Sequence, residues 1–305
     1  GLTRMMGEMA KEHQIRVSGQ VMHALEFNPE AGGVPIIFLH GIMSSVYFWQ
    51  SGADMLPLLN QRRWYALSLP GHFPAQMPAD FPAAGLTGEM IAEVTGAAIG
   101  QLVGEEPALL VGHSTGGFAA LAVAATQPER VQSVVSVAGF AQGYWTGILR
   151  PLQILAQGGR IGEALFRMQV RFSTLSAGIY YQMGGMYAAD RGRYFAYPDL
   201  REAIRPLHAA AQQLDLKAMT HYFKRMPGID IRQWLPRIQA PVLALAGTHD
   251  PIVSNEQSRM IAAMVPKGRL MMLEGGGHML MVERSEAYAR ALEDWISEQD
   301  AAHSR

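Results

Sequence analysis

Hydrophobic positions along the chain follow two rhythms that exchange at regular intervals. From Ile15 to Phe27 apolar and polar residues alternate around Ser18-Gly19, which predicts a short hairpin opening a sheet. Pro35-Ile36-Ile37-Phe38-Leu39 is an unbroken apolar run, the pattern of a parallel strand buried on both faces, and it ends in His40-Gly41-Ile42. A second run, Trp64 to Leu69, ends in Pro70-Gly71-His72. Met90, Ile91, Val94, Ala98 and Leu102 have helical spacing within Gly88–Leu102. A strand over Ala108–Val111 follows, then a helix from Thr115 to about Thr126, stopped near Pro128. Val131–Val137 reads as another buried strand, ending at Gly139. The alternation lapses over a mostly helical stretch and resumes with a strand at Pro241–Gly247 and a helix at Ser254–Met264. A last strand, Arg269–Leu273, precedes an amphipathic helix over Ser285–Glu298. Strands alternating with helices predict an α/β class, with a mostly parallel twisted sheet covered by helices on both faces. The irregular block lies between two strands, so it is an insertion: residues 1–139 and 238–305 form the core, and 140–237 a mainly helical inserted unit.

Charge sharpens that division. Phe140–Arg237 carries 13 Lys/Arg against 6 Asp/Glu, net +7, and the remainder 12 against 20, net −8. The same segment holds 14 of the 26 aromatic residues. The total of −1 argues against nucleic-acid binding. With no cysteine, disulfides and thiolate metal sites are excluded. No stretch approaches the ~18 apolar residues of a membrane span, and Gly1–Gln14 has no apolar run of signal length. A cytoplasmic location is the expectation, a leader removed beforehand being outside this sequence. Oligomeric state is left open. There is no G-x-x-x-x-G-K-[ST], no H-E-x-x-H, and Gly275–Gly277 lacks the later glycine of a dinucleotide fingerprint, so no cofactor or metal is implied.

The chemistry concentrates around Gly112-His113-Ser114-Thr115-Gly116, a G-x-S-x-G pattern between a strand and a helix, the context that presents a serine hydroxyl as nucleophile. A neutral serine needs a base, a group that orients the base, and donors for the oxyanion. In this architecture the chain order is serine, acid, base. Of ten histidines, only His249, His278 and His303 come late enough. His303 lies in a polar end read as frayed, and His249 directly precedes Asp250, so it cannot follow the acid. His278, in the glycine-rich loop Glu274–Met279, is the expected base. Asp250, just past the strand at Val242–Gly247, is the expected acid, although an aspartate before Pro251 also suits a plain turn; Glu274 is the fallback. One oxyanion donor is expected from the Thr115 N–H at a helix N-terminus, the other from Ile42, with Met43 as the alternative. His40 and His113 read as structural.

Taken together, His40-Gly41, Pro70-Gly71-His72, Gly112–Gly117, Gly247–Asp250 and Gly277-His278 resemble the α/β-hydrolase superfamily, in its branch with a lid inserted after the sixth strand. Many members have an aspartate where this chain has Ser68, and a glycine where it has Phe73. Relatives that dehalogenate or open epoxides use an aspartate nucleophile, so Ser114 counts against both activities. The resemblance implies an α/β-hydrolase fold and a serine hydrolase cleaving a carboxylic ester, lactone or thioester through an acyl-enzyme. The same triad in related sequences serves carbon–carbon bond hydrolysis, proline iminopeptidase or perhydrolase chemistry, and some relatives are receptors without catalysis.

The lid is expected to shape the substrate pocket. Tyr144, Trp145, Tyr180 and Tyr181, with Tyr187, Tyr194 and Phe195, are candidates for an apolar lining, the alternative being that they pack lid helices onto the core. The positive surplus suggests an anionic acyl substrate or a coenzyme A thioester, against the alternative of a solvated, salt-bridged surface.

Overall fold

The computed structural model describes residues 10–305, apart from the side chains of residues 51–55. The reading of Gly1–Gln14 therefore falls, over residues 1–9, outside the described residues. Eight strands form one sheet: β1 (Lys11–Val17), β2 (Gln20–Phe27), β3 (Ile36–Leu39), β4 (Trp64–Leu67), β5 (Ala108–His113), β6 (Val131–Val137), β7 (Val242–Gly247) and β8 (Gly268–Leu273). Their spatial order is β1-β2-β4-β3-β5-β6-β7-β8. The hairpin β1–β2 and the pair β2–β4 are antiparallel, and all later pairs are parallel.

Alternation along the strands sends neighbouring residues to opposite faces. Ile37 and Leu39 join a core with Ile91 and Val94 of α1 (Gly88–Val103) and Phe118 and Leu121 of α2 (Thr115–Thr126). Ile36 and Phe38 join a second core on the other face, with Tyr288, Leu292 and Trp295 of α12 (Ser285–His303). Burial on both faces explains why β3 and β7, and β5 as far as Gly112, are apolar without a break. α2 is buried along its whole length from Thr115 to Ala125, and its run of alanines lets its backbone lie close to the sheet.

Between β6 and β7 the chain forms the short helices α3 (Arg150–Ala156), α4 (Gly159–Ser173), α5 (Ala177–Gly184), α6 (Arg191–Phe195), α7 (Leu200–Ala203), α8 (Arg205–Ala211) and α9 (Leu216–Arg225). After β7 come α10 (Glu256–Met264), β8 and the one-turn α11 (Leu280–Glu283) before α12. The frayed end expected at His303 is corrected: α12 runs to it. Gln299 is buried, while Asp300 pairs with Arg62 and Glu298 with Arg269, so the polar tail suits one solvated helix face. Ser68, in place of the frequent aspartate, accepts the His23 N–H at 3.0 Å and ties the end of β4 to β2. No helix among the described residues is long and apolar enough to cross a membrane.

The sheet reverses its winding between β3 and β5, which lie side by side although β4 separates them in sequence. Loops diverge there, leaving a crevice at the carboxyl ends of the two strands.

Candidate active site

Both strands that border the crevice end in the motifs singled out by sequence. β5 delivers Ser114, whose φ of 55° and ψ of −117° leave the ordinary basins. A non-glycine residue held there costs about 1–3 kcal/mol and persists only where its surroundings over-determine it. They do so here: the Ser114 N–H donates to Val137 O at 2.9 Å, and its carbonyl accepts from Phe118 N at 3.1 Å. The turn is tight enough that a Cβ on Gly112 would lie 2.2 Å from Gly116 O, and one on Gly116 only 2.0 Å from Leu39 O.

His278 and Asp250 meet at the ends of neighbouring strands. His278 Nδ1 and Asp250 Oδ2 are 2.8 Å apart, with side chains 5% and 1% exposed. Asp250 Oδ1 accepts the N–H groups of Ile252 and Val253 at 2.8 and 3.0 Å, so the turn before Pro251 also fixes the carboxylate. An ionised carboxylate accepts only, which places the His278 proton on Nδ1 and leaves Nε2 as the free acceptor. His249 is exposed, its ring facing Thr248 Oγ1 at 2.8 Å. Glu274, also exposed, is not the carboxylate paired with His278.

One residue here escaped the sequence reading. Glu283 is 1% exposed, and its carboxylate accepts four backbone N–H groups. Oε1 takes those of Gly277, Ala189 and Asp190, at 3.0, 2.8 and 2.9 Å; Oε2 takes that of Met279 at 3.0 Å. It clamps the loop on either side of His278 to the inserted segment. The His278 N–H adds a bond to Tyr187 O, at 3.1 Å. A lone carboxylate closing the apolar run Leu280-Met281-Val282 was the available signal.

The loop after β3 is held by two histidines. His72 Nε2 accepts the Met43 N–H at 2.9 Å, and its Nδ1 donates to Pro70 O at 3.1 Å. His40 Nε2 accepts the Leu69 N–H at 3.1 Å, and its Nδ1 donates to Gly41 O at 2.8 Å. Each ring must be neutral to accept at Nε2. Burial pushes the same way, taking His40 down to about 4 and His72 well below its ordinary value. Burial also lowers His113, to about 3; its Nε2 donates to His278 O at 2.8 Å. Met43 spends its N–H on His72, whereas the N–H groups of Ile42 and Thr115 have no acceptor among the described residues.

Ser114, His278 and the 41–44 loop line a cavity of about 160 Å³, roofed by residues of the insertion. By the measure in which a water needs roughly 10–15 Å³, it holds on the order of ten water-sized groups. Of the seven aromatics proposed for its wall, Tyr180, Tyr187 and Tyr194 are there. The other four are corrected, Phe195 packing against Tyr181 and Tyr194 instead. Tyr144 stands outside under the Arg150 guanidinium, 4.0 Å from its ring, and Tyr181 pairs likewise with Arg201. Trp145 is buried between Phe140 and Phe223 as a core side chain. Burial raises the hydroxyls of Tyr180, Tyr187 and Tyr194 above the usual phenol range, so they stay neutral. No Lys, Arg, Asp or Glu lines the cavity. Arginines of the insertion face outward instead, with Arg193 71% and Arg205 74% exposed.

The sequence pattern of the alpha/beta hydrolase family matches residues 36–291. RutD of Stutzerimonas stutzeri, named for carbamate hydrolysis, is 26% identical over 192 residues, covering 62% of this chain and 66% of that protein's length. A pimeloyl-[acyl-carrier protein] methyl ester esterase of Stenotrophomonas maltophilia is 26% identical over 195 residues, 63% of this chain and 70% of its own. Among solved structures, a thermophilic esterase from Thermogutta terrifontis superposes with a TM-score of 0.71 at 18% identity, over 95% of this chain and all (100%) of its own. The enol-lactonase of Burkholderia xenovorans gives 0.69 at 18% identity, over 93% and 100%. At such identities the two structures establish the fold.

Proposed function

The chain belongs to the alpha/beta hydrolase family, and we propose that it is a serine hydrolase of a small to medium, uncharged carboxylic ester, lactone or thioester. Ser114 Oγ attacks the carbonyl carbon while His278 Nε2 takes its proton. Asp250, accepting from Nδ1, holds that tautomer and stabilises the imidazolium. The Ile42 and Thr115 N–H groups receive the oxyanion, Thr115 with the help of the α2 dipole. Met43 drops out as a donor because His72 occupies its N–H. When the intermediate collapses, His278 passes the proton to the leaving oxygen or sulfur. Water then attacks the acyl-enzyme through the same base, releasing the acid and restoring Ser114. Residues 140–237 act as the lid, with Tyr180, Tyr187 and Tyr194 in the wall of the cavity.

The observation that carries this reading is the convergence of a strained Ser114 and the buried Asp250–His278 pair at one uncharged cavity. Among the substrate classes raised by the sequence, that lining favours a neutral ester over an anionic acyl group. The test is a panel of p-nitrophenyl esters, lactones, thioesters, amides and diketones, run on the wild type and Ser114→Ala alongside a fluorophosphonate probe. Expected are ester turnover, labelling of Ser114, and a loss of at least about 10³-fold in the variant. A folded Ser114→Ala protein with undiminished turnover refutes the assignment. Absence of both labelling and turnover would instead favour a receptor use of the pocket.

A further inference from the structure

Helix α4 has two apolar faces. Gly162, Phe166 and Val170 are buried against the rest of the insertion. Ile161, Leu165, Met168 and Phe172 recur at helical spacing on another face and are exposed, by 77%, 42%, 62% and 53%. At 100° per residue the two faces lie about 130° apart, and the outer stripe runs about 16 Å. Leu175, just past the helix, is 67% exposed. Of the ten large apolar side chains exposed among the described residues, nine lie between Tyr144 and Met186 and only Met271 elsewhere. Scattered exposed apolar residues are ordinary, but a continuous stripe marks a surface that meets something.

Charge indicates what it meets. Arg160, Arg167 and Arg171 lie along one border of the stripe, and the only acidic residue of α4, Glu163, faces away from it. Arg167 is 3.8 Å from Glu163, which also binds Lys224 at 3.0 Å, whereas Arg160 and Arg171 are exposed and in no ion pair among the described residues. The whole segment 140–237 is net +7. A second copy docked on the stripe would bring two arginine rows together. Side chains as exposed as Ile161 and Met168 project from the surface and form no groove for a partner of fixed shape. A fluid apolar layer beneath negative headgroups meets both demands.

We propose that α4 docks this protein on an anionic lipid surface, its Ile161–Phe172 stripe in the headgroup–acyl boundary and Arg160 and Arg171 on lipid phosphates. Val170 and Ser173 of the same helix, with Thr174 just past its end, line the cavity, so docking holds the cavity about one helix diameter from the lipid. An ester dissolved in the bilayer then has a short path to it.

The test is co-sedimentation of the full chain with phosphatidylcholine vesicles and with vesicles containing one-quarter phosphatidylglycerol, at low salt and at about 0.5 M NaCl, where screening is strong. Binding to the anionic vesicles at least tenfold above the neutral ones, weakened by salt, is expected. Leu165→Gln/Met168→Gln should lower it at least tenfold, and Arg160→Glu/Arg171→Glu should abolish the anionic preference. Both variants should keep wild-type circular dichroism and hydrolyse a soluble short-chain ester within twofold of wild type. Ser114→Ala should bind vesicles normally, so docking is judged separately from the catalytic reading. No vesicle binding, or binding indifferent to both double variants, overturns the proposal. So does a concentration-dependent dimer dissolved by Leu165→Gln/Met168→Gln in a protein that ignores vesicles, which would give the stripe to a second copy.

Discussion

Lowering the pH from 8 to 5 should destabilise this protein through histidines far from solvent. His40 and His113 are 0% and 4% exposed, and burial holds their imidazoles down to about 4 and about 3. In the unfolded chain each titrates near 6.5. Below that pH the unfolded state therefore binds protons that the folded state refuses, and stability falls with pH. The contribution is complete above pH 6.5 and disappears progressively toward pH 4 for His40 and pH 3 for His113. At pH 5 each site has lost about 2 kcal/mol relative to pH 8, about 4 kcal/mol together. His72, His23 and His221, also lowered by burial, add in the same sense. At roughly 2 °C per kcal/mol for a chain of this size, Tm should fall by about 8 °C or more. Differential scanning calorimetry at pH 8, 7, 6 and 5 gives the slope. Carboxylates titrate mostly below this window, so histidines dominate it. A Tm that holds within about 2 °C from pH 8 to 5 would contradict the reasoning, as would His40 and His113 NMR resonances that titrate near 6.5.

Three further perturbations address the site. Gly116→Ala would set a Cβ 2.0 Å from Leu39 O, backbone on which the elbow rests; we expect at least about 3 kcal/mol of destabilisation in urea unfolding, and a change under 1 kcal/mol would mean the turn can open. Glu283→Ala strands the N–H groups of Gly277, Met279, Ala189 and Asp190, for a loss of about 4 kcal/mol at about 1 kcal/mol each, together with a fall in kcat as the His278 loop loosens. An unchanged kcat in that variant would show that the clamp does not position His278. Because no charged side chain lines the cavity, the salt dependence of kcat/KM should be the same for a neutral ester and its anionic analogue of equal length; a steeper fall for the anion would restore a role for the outward arginines in steering.

Periodicity alone determined most of the architecture. Strands such as Ile36–Leu39 and Val242–Gly247 are legible because burial on both faces leaves no polar position to blur the run. The placement of Ser114, Asp250 and His278 was legible too, since each closes or follows a strand and only strand ends reach the crevice. Local rules supplied both results.

What they could not supply depends on partners distant in sequence. Ile42 and Met43 are equivalent as sequence, and a histidine 29 positions beyond Met43 separates them by accepting one N–H and leaving the other unpaired. Trp145 and Tyr180 are both aromatics of a basic, helical insertion, yet one fills the core and the other the cavity wall, because the packing of short helices rather than composition decides which side faces in. The basic surplus could be counted in the sequence but not aimed, and the fold turns it away from the cavity. Glu283 gathers N–H groups from residues 189, 190, 277 and 279, a convergence that exists only after the insertion has folded back over the loop bearing His278. Sequence patterns report which residues can be buried and where a strand must end; direction and distance between far segments belong to the tertiary packing, since only there do backbone groups as far apart as Ala189 and Met279 converge on the same acceptor.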